Sequence, residues 1–508
     1  MADSAESRWW FHRLALPVRI TSAVIAIVLV GGAAYWIYSN VRTCGPGVER
    51  IDEQCIGVTD GSVVLTSDLA DVLGKIRQEN KWVDDNDPQG EAVSVAYLTA
   101  LPEPSSSQGR AAKLRHELEG VYLAQVRANH TDTLGGGRPL IRLLIANDGN
   151  RSIHWGKVVP ELVDKADGPE RLVAVVATGQ TVAARQESIN ELLSQNIPVI
   201  ASQLTGDNLV PSGDSSSTQG LARIAPSNSD QAAAAAAYLK PNTRNVLLIQ
   251  NTDPRDGYSR SLGEAFARAY PDDTHELLKP VENYNPQLGG VASTMRGMLV
   301  NICYKKPDAI FFAGRGEELG ALVEALPSRT CPDVPINIMT GDAATDFSVE
   351  VARGRAELRA GLSLAASVKY TTLAHPASWK EFPDSFAQGS RQPFQGSCDN
   401  CFSTLFPDSL LDDGAAITGY DAVVTAIAAV RTREGINDDP DLIIQQFNRM
   451  HGPRAVAGAS GWISLGAGGK AINKAVPILE VKLNGTVEFV QLSAPRGAPC
   501  NPDIPQLC

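Results

Sequence analysis

No long basic run occurs in this 508-residue chain outside its N-terminus, and the formal net charge is −12. That balance argues against nucleic acid as the main partner, because phosphate neutralisation needs clustered Lys and Arg. The 7 histidines are scattered. No H-E-x-x-H pair exists for a zinc protease, and no G-x-S-x-G elbow for a serine nucleophile. Cys398-x-x-Cys401 has no second C-x-x-C to complete a zinc site. No thioredoxin-like strand precedes it, which favours a structural bond over redox chemistry. Gly314-x-Gly316 with Gly320 imitates a dinucleotide loop, but its third glycine comes one place late. Asp412, Asp413, Asp439 and Asp441 fit solvated turns and helix starts. No catalytic constellation, cofactor or metal is expected, and the chain reads as a non-enzyme.

What is present begins with length. The chain is too long for one core, so two or more domains or lobes are expected. Trp9, Trp10 and Phe11, with Arg8, Arg13 and Arg19, precede an apolar run from Ile20 to Tyr38. Such a run is roughly 28 Å long as a helix, close to the bilayer core. Tyr35, Trp36 and Tyr38 suit the far interface, and the denser basic residues before the run place the N-terminus inside. The alternative is a cleaved signal peptide. The aromatic end of the run and its weak small-x-small site favour a retained anchor. Val41-Arg42-Thr43 before Cys44 does not match a lipid-attachment pattern. The expectation is a single-pass protein of the cell membrane, with a cytoplasmic tail at 1–19, a transmembrane helix at 20–38 and the binding domain outside.

All 8 cysteines follow the apolar run. They fall into local pairs: Cys44 with Cys55, Cys303 with Cys331, Cys398 with Cys401, and Cys500 with Cys508. Eight cysteines allow 105 pairings, and proximity makes this set the simplest. An exported chain is where such bonds persist.

The centre of the chain is Leu172 to Ser202. An apolar run from Leu172 to Ala177 fits a strand buried on both faces. Thr178-Gly179-Gln180-Thr181 breaks it. Val182, Ile189, Leu192 and Leu193 then predict a helix, and Ile197 to Ala201 a second strand. The loop sits where free N–H groups and a helix dipole can hold an anion. The same alternation recurs. Strands are predicted at 92–98, 140–146, 245–250 and 309–313, with helices between, which gives α/β with parallel sheets. Residues 376–414 break the rhythm and read as a loop-rich insertion. Residues 461–465 and 478–483 read as late strands, and 493–508 as a proline-rich tail.

The order of these segments resembles the type I periplasmic solute-binding proteins. The nearest branch is the branched-chain amino-acid receptors and receptor ligand-binding regions. The matching stretches run in order: VSVAYLTALP, AVVATGQTVAA, IPVIAS, RIAPSNSDQAAAAAAYL, NVLLIQNTDPRDGYSRSLGEAFARA, PDAIFFAGRGEELGALVEAL, MTGD, TGYDAVVTAIAAV and SGWISL. The resemblance implies two Rossmann-like lobes joined by three crossings, with ligand in the cleft. One lobe would be 91–222 plus 363–455, the other 223–362 plus 456–492, after a lead-in at 39–90.

The resemblance also implies ligand residues. Thr178, Gly179, Gln180, Ser202 and Gln203 would meet a ligand carboxylate, Tyr258 would pack over it, and Asp342 would take its ammonium. Gln180 and Gln203 are bulkier than expected, Val176-Ala177 replaces the usual glycine-proline, and Asp342 is shorter than a glutamate. The resemblance implies capture of an amino-acid-like solute for an ABC permease or a signalling membrane partner. The alternative is an interaction protein whose cleft has lost metabolite binding.

Overall fold

A computed structural model describes residues 43–508 other than 103–107, 208, 210–218, 433–434 and 437. The expected tail and transmembrane span lie outside the described residues. Among the described residues no helix is long and apolar enough to cross a membrane.

Unbroken apolar runs become central strands, and amphipathic segments become the helices that cover them. The first lobe contains β1 (Thr43–Gly45), β2 (Val48–Ile51), β3 (Gln54–Thr59), α1 (Ala70–Asp85), β4 (Val93–Thr99), α2 (Gln108–His130), β5 (Ile141–Asn147), α3 (Trp155–Asp167), β6 (Leu172–Ala177), α4 (Ala183–Ser194), β7 (Val199–Ala201) and β8 (Leu221–Arg223). Its sheet order is β1-β2-β3-β5-β4-β6-β7-β8. From β5 to β8 all pairings are parallel, while β3 runs antiparallel to β5. Side chains alternate across the sheet. Val95 and Tyr97 face one core with Leu118 and Val121 of α2. Ala96 and Leu98 face the other with Val158, Leu162, Ile189 and Leu192.

The second lobe contains α5 (Asn228–Leu239), β9 (Asn245–Asn251), α6 (Gly257–Ala269), β10 (Glu276–Leu277), β11 (Glu282–Tyr284), α7 (Val291–Lys305), β12 (Ala309–Ala313), α8 (Gly316–Ala325), β13 (Asn337–Thr340), α9 (Thr345–Ala352), α10 (Ala356–Leu362) and β14 (Ser367–Thr371). The chain then returns to the first lobe through α11 (Gln388–Gln395), α12 (Ala415–Val430), the hairpin β15 (Arg431–Thr432) and β16 (Gly435–Ile436), and α13 (Pro440–Phe447). It ends in β17 (Val476–Val481) and β18 (Val487–Ser493) of the second sheet, ordered β10-β9-β12-β13-β14-β17-β18 with β11 also on β9. The chain therefore passes between the lobes after β8, after β14 and before β17.

Four boundaries differ from the sequence expectation. Residues 43–59, assigned to a lead-in, are three antiparallel strands that extend the first sheet. Their left-handed Asp52-Glu53 turn and Cys44–Cys55 bond hold a short polar hairpin that pattern alone does not reveal. The 363–455 segment was placed wholly in the first lobe, yet β14 pairs with β13 and β17 in the second sheet. Residues 461–465 are not a strand; they make only isolated bridges, Val456 to Ile463 and Leu465 to Ala471. Residues 376–414 are not loose. Trp379, Phe394, Phe402 and Phe406 enter the first lobe's core, and Trp379 donates its indole N–H to the Ala459 carbonyl at 2.7 Å. All four expected disulfides are formed.

Candidate functional site

The carboxyl ends of both parallel sheets face each other across a cavity of about 1090 Å³. Ligand sites in open α/β sheets gather at such strand ends. The walls come from loops after β4, β5, β6 and β7 on one side and after β9, β11, β12 and β13 on the other. The lobes also touch directly. Val182 and Asp256 form a backbone bridge, and Gly109 at the start of α2 lies against Val349 of α9.

On the first wall, Thr178, Gly179, Gln180 and Gln203 all line the cavity. Gly179 holds φ +101°, a conformation L side chains rarely adopt. Thr178 donates its hydroxyl to Glu117 of α2 at 2.7 Å, and Gln203 donates its amide to Thr418 at 2.9 Å. Ser202 does not line the cavity; its hydroxyl is buried behind the wall beside Tyr97. Neither the Tyr97 nor the Ser202 hydroxyl reaches hydrogen-bond geometry there. Burial pushes the Glu117 carboxyl up, opposed by the Thr178 and Tyr97 hydroxyls and by the Lys113 charge. The floor beneath the expected carboxylate loop is thus itself a carboxyl group.

On the second wall, Tyr258 and Asp342 line the cavity. Asp256 caps α6 by accepting the Ser259 N–H at 3.3 Å, which places Tyr258 in the first helical turn. The Tyr258 hydroxyl accepts the Ala343 N–H at 3.2 Å. The Arg315 guanidinium lies 4.6 Å from the centre of its ring. Arg315 is forked on Asp256, Nε to Oδ2 at 2.9 Å and Nη2 to Oδ1 at 2.6 Å. Burial would raise Asp256, but the Arg315 charge and hydrogen bonds hold it below the usual carboxylate range. One oxygen of Asp342 accepts from Gln231 at 2.9 Å and from Thr205 of the other lobe at 3.3 Å. Burial pushes Asp342 up, against the charge of Lys113.

Glu318 also lines the cavity and accepts the Arg315 N–H at 2.6 Å. Burial pushes its carboxyl up to about 7. Because the folded value lies above the unfolded one, Glu318 favours the fold at low pH, and this contribution is lost as pH rises through about 7. Glu318→Gln, which keeps an acceptor for the cap, is therefore expected to stabilise the protein at pH 8 by up to about 3 kcal/mol. The gain should be much smaller at pH 5. Urea midpoints at the two pH values measure the difference.

Sequence reasoning did not find Lys113, Glu117, Arg315 or Glu318. One signal was available: Glu117 sits between Leu114, Leu118 and Val121, on the apolar spacing of α2. Arg315 was visible only as the middle of a glycine-flanked loop.

No family model and no curated protein matches this chain. Solved structures do. A leucine-binding protein LivK from Thermotoga maritima is 18% identical, with a TM-score of 0.55, over 81% of this chain and 99% of that one. An ABC transporter substrate-binding protein from Desulfitobacterium hafniense, in complex with Leu, is 18% identical with a TM-score of 0.56, over 78% and 99%. A solute-binding protein of an R. palustris ABC transporter, in complex with 4-hydroxybenzoate, is 13% identical with a TM-score of 0.55, over 79% and 96%. This chain has the type I periplasmic-binding-protein fold. Within that fold the inter-lobe cavity lies between the expected ligand loops. Several of their polar groups are already engaged by the protein's own side chains.

Proposed function

We propose that this chain is a membrane-anchored solute-binding protein. Its cleft captures a small polar solute bearing a carboxylate and presents the loaded state to a membrane partner, either an ABC permease or a sensor. The cavity walled by strand-end loops of both lobes carries this reading. Such a cleft couples occupancy to lobe closure, because a ligand touching both walls favours the closed arrangement. The apolar run from Ile20 to Tyr38 supports the anchor, with the N-terminus inside and the lobes outside. The solved structures of this fold include one in complex with leucine and one in complex with 4-hydroxybenzoate, so amino acids and aromatic acids head the candidates.

A second reading has one observation in its favour. Thr178 and Asp342, the expected ligand groups, bond to Glu117, Gln231 and Thr205. A cleft that satisfies itself in this way could serve as an interaction scaffold.

Thermal unfolding of the full chain separates the two. Carried-over ligand is first stripped by partial unfolding and refolding. The panel is amino acids, organic acids, small peptides and sugars. A solute at 100 times its Kd adds about 2.7 kcal/mol. An upward shift confined to one chemical class supports the receptor; flat curves from a well-folded protein support the scaffold.

A further inference from the structure

At the third passage between the lobes, the chain leaves the first lobe's core for β17. Up to Lys474 it is held on the first lobe. Ile463 and Leu465 sit in that lobe's core. The Ile472 N–H donates to the Ser464 carbonyl at 2.7 Å, and a Cβ on Gly469 would lie 1.7 Å from the Leu221 carbonyl oxygen of β8. The Lys474 ammonium is buried and donates to the Gly461 carbonyl at 2.7 Å. Val476 already belongs to the second sheet, in register with Ser493 of β18. The chain therefore changes lobe at Ala475.

Residues 494–508 leave the second sheet beside this pivot and turn back onto its first-lobe side. Asn473 anchors them. Its side chain accepts the Arg496 N–H at 3.0 Å and donates to the Ala498 and Leu507 carbonyls at 2.7 and 3.1 Å. Its carbonyl accepts the Cys500 N–H at 2.9 Å. The Ser464 hydroxyl donates to the main-chain oxygen of Cys508 at 2.8 Å. Asn473 is 4% exposed and Cys500 1%, so water competes little for the bonds between them. The Cys500–Cys508 disulfide closes 500–508 into a loop with one end on Asn473 and the other on Ser464.

We infer that residues 494–508 are a strap across the pivot of the third crossing, holding the lobes in the closed arrangement in which Val182 meets Asp256. Hinge opening turns backbone dihedrals at a few such positions. Rotation at Ala475 would carry β18 and the root of the strap away from Asn473 and Ser464 and break these bonds. Bonds made in one of two arrangements shift the balance toward it by their free energy. The strap therefore lowers the open population and, with it, access to the cavity. This inference concerns the hinge and needs no bound solute, so it stands independently of the solute-binding reading.

Amide hydrogen exchange, read by mass spectrometry on the stripped, unliganded full chain, tests it. Asn473→Gly removes the anchor side chain and suits the left-handed φ of 48° at that position. Cys500→Ser combined with Cys508→Ser opens the loop without touching the anchor. Cys44→Ser combined with Cys55→Ser is the control, because that bond lies at the opposite edge of the first sheet from β8. Both strap variants are expected to exchange about 10-fold faster than wild type in the segments around Val182 and Asp256. Peptides from β4 and β12, inside the two lobes, should keep their wild-type protection, which also shows that the variants are folded. The control should leave the bridging segments unchanged. Wild-type exchange at those segments in either strap variant would overturn the inference. So would acceleration spread equally through β4 and β12, or the same acceleration in the control.

Discussion

Gly120→Ala is expected to destabilise the first lobe by about 3 kcal/mol or more. Alanine for glycine inside a helix normally stabilises by roughly 0.5–1 kcal/mol. Here α2 and α12 cross backbone against backbone. A Cβ on Gly120 would lie 1.8 Å from the Ala416 carbonyl oxygen. Reciprocally, a Cβ on Gly419 would lie 2.3 Å from the Glu117 carbonyl oxygen. Neither partner is a side-chain end that can swing away, so the helices must separate. α12 is buried along nearly its whole length, and the displacement propagates into the core. It also moves the face of α2 that carries Lys113 and Glu117, so ligand affinity should fall with stability. Gly297→Ala in α7 is the control: nothing lies within 4 Å of the added carbon, and a gain of roughly 0.5–1 kcal/mol is expected. Urea denaturation of the two variants checks both signs. A stable Gly120→Ala protein would mean that the crossing is looser than described.

Arg185→Met is expected to cost about 3–5 kcal/mol. Both side chains of the Arg185–Asp148 pair are 0% exposed, and Nη1 lies 2.8 Å from Oδ2. The guanidinium also donates through Nη2 to Oδ1 at 3.1 Å. Removing the cation leaves a buried carboxylate behind the loop that carries Gly179. Burial pushes Asp148 up to about 6 even with Arg185 in place. Without its partner the carboxyl is pushed higher still and escapes the penalty by protonating, so the loss should be largest at pH 8, shrink as pH falls toward about 6 and level off below it. Arg185→Met combined with Asp148→Leu should recover most of the stability, because an apolar pair removes both desolvation costs. Denaturant midpoints of the three proteins at pH 5 and pH 8 measure this. A single variant as stable as wild type at pH 8 would contradict it.

Much of the sheet framework is legible in apolar runs. Leu172–Ala177 and Ala309–Ala313 are strands with the predicted bounds, and the runs at 92–98, 140–146 and 245–250 shift by a residue at most. These strands are buried on both faces, so composition alone marks them. The β1–β3 hairpin escaped because Val48-Glu49-Arg50-Ile51 is half solvated and its turn needs left-handed non-glycine residues. The aromatic insertion escaped because its short helices carry little periodic signal, and its burial depends on distant partners such as Tyr420. The site was half legible. Local loop chemistry pointed to Thr178, Gly179 and Gln180; the family resemblance implied Gln203, Tyr258 and Asp342, which also line the cavity, and Ser202, which does not. Neither could show that the Thr178 hydroxyl and one oxygen of Asp342 bond to Glu117 and Gln231, since those contacts join residues 61 and 111 apart in sequence. Lys113 reads in sequence as an ordinary helix-surface lysine. Only the approach of two lobes brings its charge to bear on Asp342.

Native mass spectrometry of the full chain, released intact from detergent micelles, tests the solute-binding reading most directly. A chain that closes its cleft on a solute should carry one small molecule per protein as isolated, lose it on stripping, and regain it from the responding member of the thermal panel. A bare protein mass in all three states, from a protein that is folded by circular dichroism, would contradict that reading and leave the cleft as part of an interaction scaffold.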